Sequence, residues 1–243
     1  MIFAAGLGTR LKPITDTMPK AMVPVNGHPL LELTIHKLIS AGASEIVINV
    51  HHFSEQIIDY VQSHQPWAIP ITISNESDRL LDTGGGLFKA SGLFTPDDSP
   101  ILIHNVDILS NAELNTFYQH HVRSGSQALL LVSQRQSSRY LLFDDQMHLK
   151  GWMNEQTGQI KSPFTDLDPT TCHKFAFSGI HSFSPALFSE IGNFGDKFSI
   201  IDFYLSICDH VQIEGYIQPG LQMLDVGKLN TLQAAEEWMQ NNP

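Results

Sequence analysis

The sequence predicts an α/β fold: a Rossmann-like open, mostly parallel mixed sheet with helices on both faces. Three observations carry this. Strand-like and helix-like segments alternate through the first half of the chain. The strand segments there are continuously apolar, as in strands covered on both faces. A glycine-rich turn, Gly6-Leu7-Gly8, directly follows the first apolar run, where its backbone N–H groups are free to meet an anion.

Taken in order, Ile2-Phe3-Ala4 is the first apolar run. A buried parallel strand commonly has about five or six residues, so the natural protein is expected to start a few residues upstream of this shortened strand. Leu31, Ile35, Leu38 and Ile39 share one helical face, and Gly42 closes that helix. The run EIVINV (45–50) is a buried strand. Ile57, Ile58 and Val61 mark a second helix, IPITIS (69–74) a strand and GGLFKASGLF (85–94) a short helix. PILIHNVDIL (100–109) reads as one continuous buried strand, followed by a helix through Leu114, Phe117 and His121. From ALLLV (128–132) the pattern changes. RYLLFDDQMHLKGWM reads as a hairpin turning at Asp144-Asp145, and 154–172 is a polar excursion without periodicity. A strand at KFAFSGIHSF (174–183) and a closing helix from Lys228 to Met239 complete the chain.

With 243 residues the chain can bury one substantial core, expected as a single domain over 1–243. No run of about 18 apolar residues is present to span a membrane. Cys172 and Cys208 have no CxxC or metal spacing, which makes a reduced cytoplasm the simplest home. The formal charge of −11 argues against nucleic-acid binding, which needs a basic face. A polyanionic ligand must therefore be met by a few local cations, and Arg10, Lys12 and Lys20 stand beside the glycine turn.

That turn alone is ambiguous. GLG is half of a dinucleotide fingerprint, but Leu11 stands where its third glycine belongs, and no Gly-Lys-Ser/Thr follows for a Walker loop. The continuation, GLGTRLKPITDTMPKAMVPVNGHPLLE, resembles the signature of the sugar-phosphate nucleotidyltransferases, with Gly6, Gly8, Thr9, Arg10, Pro13, Pro19, Lys20, Pro24 and Pro29 in register. The resemblance continues at DTGGGLFKA (82–90), HNVDIL (104–109), FSGIHSFSP (177–185) and LDVGKLNTLQAAE (224–236), and is weakest over 134–172.

The resemblance implies a GT-A-like fold, with a nucleotide-binding half (1–133) and a sugar-phosphate-binding half (134–243). It implies transfer of a nucleoside monophosphate from a nucleoside triphosphate to a sugar 1-phosphate, with pyrophosphate released. The backbone of Ala5, Gly6, Leu7, Gly8 and Thr9 would wrap the triphosphate, Arg10 would steady its outer phosphates, and Lys20 would reach the α-phosphate. Asp107 and Asp225 would hold Mg²⁺, and Thr83 and Gly84 would read the nucleobase. Asn105, Ser178, Gly179 and Lys174 would face the sugar phosphate. Read from the residues alone, a strand-end Asp more often caps the next helix, and Lys20 would be a solvated lysine. The twelve histidines lack metal spacing and read as surface or core residues.

Two positions depart from the family pattern. Val106 replaces the usual glycine before the metal Asp, which disfavours positive φ and narrows the space there. IKSP (160–163) stands nearest to the Glu-Lys-Pro element that grips the sugar phosphate, which makes Lys161 a candidate cation there, with Lys174 the other cation in that region. Within the family the text looks most like the uridylyltransferases of bacterial cell-wall recycling that act on N-acetylmuramate 1-phosphate, with UTP as donor. Guanylyltransferases of mannose or heptose 1-phosphate share much of it. A non-catalytic sugar-nucleotide sensor is the alternative of another class, but such proteins typically lose one of Arg10, Lys20, Asp107 or Asp225. A monomer or homodimer is expected.

Overall fold

The computed structural model describes residues 1–192 and 194–241. The first half runs β1 (Ile2–Phe3), β2 (Pro24–Val25), β3 (His28–Pro29), α1 (Leu30–Ser40), β4 (Ile46–Val50), α2 (Ser54–Ser63), β5 (Ile71–Asn75), α3 (Asp82–Lys89), β6 (Ile101–Asn105), β7 (Ile108–Ser110) and α4 (Leu114–Ser124). The second half runs β8 (Ala128–Ser133), β9 (Arg139–Phe143), β10 (Leu149–Asn154), β11 (Ile160–Lys161), β12 (His173–Phe183), α5 (Ile200–Ile207), β13 (Ile213–Ile217), β14 (Met223–Asp225) and α6 (Leu229–Asn241).

A ten-stranded mixed sheet has the order β11-β10-β9-β12-β6-β1-β4-β5, with β8 joining β12 to β13. The strands β6, β1, β4 and β5 are mutually parallel, as the βαβ alternation predicts. All five residues of β4 are buried because both sheet faces are covered. Ile2, Ile46, Ile48 and Val50 point into the cluster under α1, α2, α4 and α6. Phe3, Val47 and Ile103 point the other way, into the cluster under α3 and α5. No helix among the described residues is long and apolar enough to cross a membrane.

The differences from expectation have local causes. Within the loop after β1 the chain forms three short 3₁₀ turns, Thr9–Leu11, Ile14–Asp16 and Lys20–Met22, which the sequence did not mark. Asn26 and Gly27, both at positive φ, turn the β2–β3 hairpin. The expected continuous strand at 100–109 is broken: β6 ends at Asn105 and β7 starts at Ile108. β7 then pairs antiparallel with β14, outside the main sheet. The hairpin at Asp144-Asp145 forms as β9–β10. The polar excursion holds one short strand, β11, and α5 is a helix with no counterpart in the periodicity.

β12 joins the two parts of the sheet. His173–Phe175 pair with β9, and Ile180–Phe183 pair antiparallel with β6. Between them the pairing with β8 slips from Phe177 to His181, and Gly179 sits in this irregularity at φ +74°.

His104, His121 and His181 are core residues. His121 bonds Ser182 Oγ at 2.6 Å and Ser126 O at 3.0 Å, and His181 Nδ1 lies 2.7 Å from the Tyr204 hydroxyl. Burial lowers His104 from 6.5 to about 4 and His181 to about 3. Below pH 6.5 the unfolded chain gains these protons and the folded chain does not, so stability is lost as pH falls. From about pH 7 to about pH 5 each histidine should cost roughly 2 kcal/mol, read by urea unfolding. His181→Gln is expected to remove about half of their combined loss.

Candidate active site

Four charged groups meet beyond the C-terminal ends of β1 and β6. The loop after β1 bends at Gly8, whose φ is +63°. A Cβ there would lie 2.9 Å from Thr15 Cγ2 and 3.1 Å from Lys20 Cβ, so conformation and crowding both require glycine. Thr15 Oγ1 donates to Gly8 O at 2.8 Å and fixes the bend. Ala5 is buried, whereas Gly6, Leu7, Thr9 and Arg10 are exposed. A Cβ on Gly6 would meet nothing within 4 Å, so the loop backbone lies open.

Lys20 is not a solvated lysine. It is 8% exposed, and its ammonium is paired with Asp107 Oδ2. Asp107 occupies the break between β6 and β7, while Asp225 ends β14 opposite Ile108. Val226 N–H donates to Asp107 O at 2.8 Å, which carries Asp225 to the neighbourhood of Asp107. Arg10 Nη2 lies 3.9 Å from Asp225 Oδ2. Gly227 packs under these groups. A Cβ there would fall 2.4 Å from Asp225 Oδ1, 2.8 Å from Arg10 Nη2 and 3.2 Å from Lys20 Nζ. The sequence motif DVG contained this glycine without showing its role; its place just after a strand-end Asp was the available signal.

Val106 corrects an expectation. Its backbone is not among the non-glycine residues at positive φ, and its side chain packs in the core with Ile2 and Ile108. It therefore points away from the carboxylates and does not narrow the space beside them.

The sugar-facing residues divide. Gly179 approaches Asn105 closely: a Cβ on Gly179 would lie 2.9 Å from Asn105 Nδ2. Ser178 is buried beside it, and its hydroxyl has no hydrogen-bond partner among the described residues. Lys174 is separate, five residues before Gly179 on the far side of the β12 irregularity. Lys161 pairs with Asp202 at 2.7 Å and stands over the Trp152 ring. The cation held near the Ser178–Gly179 turn is Arg135, whose Nη2 donates to Phe177 O at 3.0 Å. Nothing in its local sequence marked it.

Thr83 and Gly84 lie in the first turn of α3, and their amides are already engaged. Thr83 N–H donates to Asp82 Oδ1 at 2.7 Å, and Gly84 N–H to Phe198 O at 2.9 Å. Ile200 N–H donates to Thr83 Oγ1 at 3.0 Å. In this conformation the N–H groups of Thr83 and Gly84 are used within the protein, so a base edge at this turn would meet other backbone groups.

Among the described residues, no group of three or more His, Cys, Asp or Glu side chains is placed to hold a metal. Two carboxylates over a Cβ-free floor fit a hard cation such as Mg²⁺, which keeps several water or phosphate ligands besides one or two carboxylates. A 510 Å³ cavity lies at the opposite ends of the strands, lined in part by Met1, Glu45, Ile101 and Tyr118, away from the four charges.

Residues 1–241 match the nucleotidyl transferase family model. The chain belongs to the nucleotidyl transferase family. Its relatives include the N-acetylmuramate alpha-1-phosphate uridylyltransferase of Caulobacter vibrioides, 35% identical over 109 residues, 44% of each chain. The mannose-1-phosphate guanyltransferase of Debaryomyces hansenii is 30% identical over 135 residues, 55% of this chain and 37% of that one. The matches to the first curated relatives cover 36–51% of those proteins' lengths, so the chain spans about half of them or less. The solved structure of HddC from Yersinia pseudotuberculosis complexed with GMP-PN superposes with a TM-score of 0.75 at 21% identity, covering 98% of this chain and 97% of that one. The shared fold is the mixed, mostly parallel sheet with helices on both faces.

Gly227 gives a direct test of the constellation. Gly227→Ala should weaken Mg²⁺–nucleotide binding by about 10–100-fold in calorimetry, as disturbed supports of metal ligands commonly do. Its φ needs no glycine, so the melting temperature without ligand should stay within about 2 °C.

Proposed function

We propose that this chain transfers a nucleoside monophosphate from a nucleoside triphosphate to a sugar 1-phosphate. The observation carrying the reading is the paired arrangement of Lys20–Asp107 and Arg10–Asp225 around Gly227, beside an open glycine loop. In the reaction a sugar phosphate oxygen attacks the α-phosphorus in line. The new P–O bond forms as the bond to the β-phosphate bridging oxygen breaks, and pyrophosphate leaves. The attacking phosphate is already ionised at neutral pH, so no strong general base is needed. Bringing two anions together is the obstacle, and it is met by positioning and charge neutralisation.

The loop backbone from Ala5 to Thr9 holds the triphosphate, Arg10 meets its outer phosphates, and Lys20 meets the α-phosphoryl oxygens as charge grows there. Asp107 and Asp225 would hold Mg²⁺, which supplies neutralising charge to the phosphate oxygens. In the free protein the Lys20 ammonium pairs with Asp107, and the Arg10 guanidinium stands 3.9 Å from Asp225. Asn105, Ser178 and Gly179 face the acceptor, and Arg135 is its anion partner in place of Lys174.

UTP is the proposed donor and N-acetylmuramate 1-phosphate the proposed acceptor, supported by the uridylyltransferase relatives at 35–36% identity. Guanylyl transfer is the competing reading, supported by relatives at 27–30%. Pyrophosphate release from a matrix of nucleotides against sugar 1-phosphates, with Mg²⁺, separates them. UTP should exceed GTP by at least about tenfold in kcat/KM. Equal or better use of GTP moves the chain to the guanylyl branch, and no release with any pair leaves a sensor.

Asp107→Asn, Asp225→Asn and Lys20→Ala should each lower kcat about a hundredfold to a thousandfold; Asp225→Asn should leave the unliganded melting temperature nearly unchanged, whereas Asp107→Asn strips the buried Lys20 ammonium of its carboxylate and should lower it. Full activity of Asp225→Asn at limiting Mg²⁺ would remove the two-carboxylate site. Arg135→Ala should raise the acceptor KM about tenfold and leave the nucleotide KM unchanged.

A further inference from the structure

A chain of three hydrogen bonds outside the four charged groups links the two loops assigned to the nucleotide. Ala4, directly before the glycine loop, donates its N–H to Asn49 Oδ1 at 2.8 Å. Asn49 Nδ2 donates to Glu76 Oε1 at 2.8 Å. Leu81 N–H, directly before the Asp82–Gly84 turn, donates to Glu76 Oε2 at 3.2 Å.

Asn49 and Glu76 are 2% and 0% exposed. Burial holds the Glu76 carboxyl above its ordinary value, and the hydrogen bonds from Asn49 and Leu81 offset that rise only in part. Both oxygens accept, which suits the ionised form. The backbone of Glu76 is fixed as well: its N–H donates to Val50 O at 2.7 Å, and its carbonyl accepts from Arg79 N–H at 3.0 Å. Gly86 completes the enclosure, since a Cβ there would lie 2.7 Å from Glu76 Oε1 and 2.8 Å from Asn49 Nδ2. A buried carboxylate is costly unless its donors are in place, and apolar side chains would fill the same space more cheaply. A carboxylate with two directed acceptors does something a hydrocarbon cannot: it sets the separation of the two N–H groups that meet it through Asn49 and Leu81.

The geometry points to Glu76 and Asn49 as positioning residues that fix the spacing between the phosphate loop and the base turn. The inference rests on the nucleotide-binding reading of those two segments. A ligand that engages both segments at once needs the spacing, and a ligand that engages only the phosphate loop does not.

Calorimetric titration with Mg²⁺–UTP, Mg²⁺–GTP and Mg²⁺–pyrophosphate separates the two cases. In Glu76→Gln an NH₂ group replaces one acceptor and opposes either Leu81 N–H or the Asn49 amide. In Asn49→Asp two carboxylates face each other. Each variant should bind the nucleotide preferred by wild type at least about tenfold more weakly, and pyrophosphate within about threefold of wild type. The double variant Asn49→Asp/Glu76→Gln exchanges donor and acceptor and returns an oxygen to both Ala4 N–H and Leu81 N–H. It should regain nucleotide affinity to within about threefold. Unchanged nucleotide affinity in the single variants overturns the inference, as does an equal loss for pyrophosphate or a double variant that does not recover. If wild type binds nucleotide but shows no turnover, the transfer reading fails and this inference is still decided by the affinities. If wild type binds neither nucleotide, both fall.

Discussion

The backbone hydrogen bond from Val226 N–H to Asp107 O governs the site. It extends the β7–β14 ribbon to the point where two carboxylates from distant parts of the chain share one neighbourhood. Like charges brought together at a partly screened surface repel, and the chain as a whole carries a formal charge of −11. Lys20 and Arg10 are the local answer. The buried ammonium of Lys20 takes one carboxylate, and the exposed guanidinium of Arg10 stands by the other. Gly227 is small for the same reason, since a Cβ there would push against Asp225 and Arg10, and Gly8 leaves room for Thr15 and the Lys20 stem. Sheet pairing thus sets the charges, and the charges set which residues around them must lack side chains.

Legibility in the sequence followed the range of the interactions. β4 was readable because IVINV is apolar at every position but Asn49 and both its faces are covered. The break at Val106–Asp107 was not, because Ile108 and Leu109 continue the apolar run and their change of partner depends on β14. IIDFYLSI in α5 is apolar around nearly the whole helix, so it offers no periodic face that separates helix from strand. Asn26-Gly27 was a visible turn signal, but strands of two residues leave no alternation beside it. At the site, the long signature singled out Lys20, Asp107 and Asp225, and residue-level reasoning alone would have put Lys20 in solvent. Glu76 and Asn49 carry no motif of their own. Their meaning comes from lying at the ends of adjacent parallel strands, which only the register reveals.

The turn between β5 and α3 also depends on a distant segment. Phe198 O accepts from Gly84 and Gly85 N–H, and Phe198 N–H donates to Leu81 O. Thr83 Oγ1 accepts from Ile200 N–H, 117 residues away, just where α5 begins. The first turn of α3 is thereby capped by the chain that leads into α5. A glycine is obligatory at 84 because the Phe198 ring would lie 2.3 Å from any Cβ there. The two halves of the molecule are stitched at this turn.

β12 belongs to both halves, and its irregularity at Gly179 has a consequence for how such a molecule changes over generations. Residues 180–183 are locked between β6 and β8, whereas 173–175 serve as the attachment for β9 and, beyond it, β10 and β11. Insertions, deletions and wholesale rewriting of 134–172 can be absorbed on the outer side of that irregularity without shifting β6 or the turn that bears Asp107. The parent strand acts as a coupling of fixed pitch onto which different outer sheets can be mounted. Divergence concentrated in one interval of the sequence is the natural history such an attachment permits.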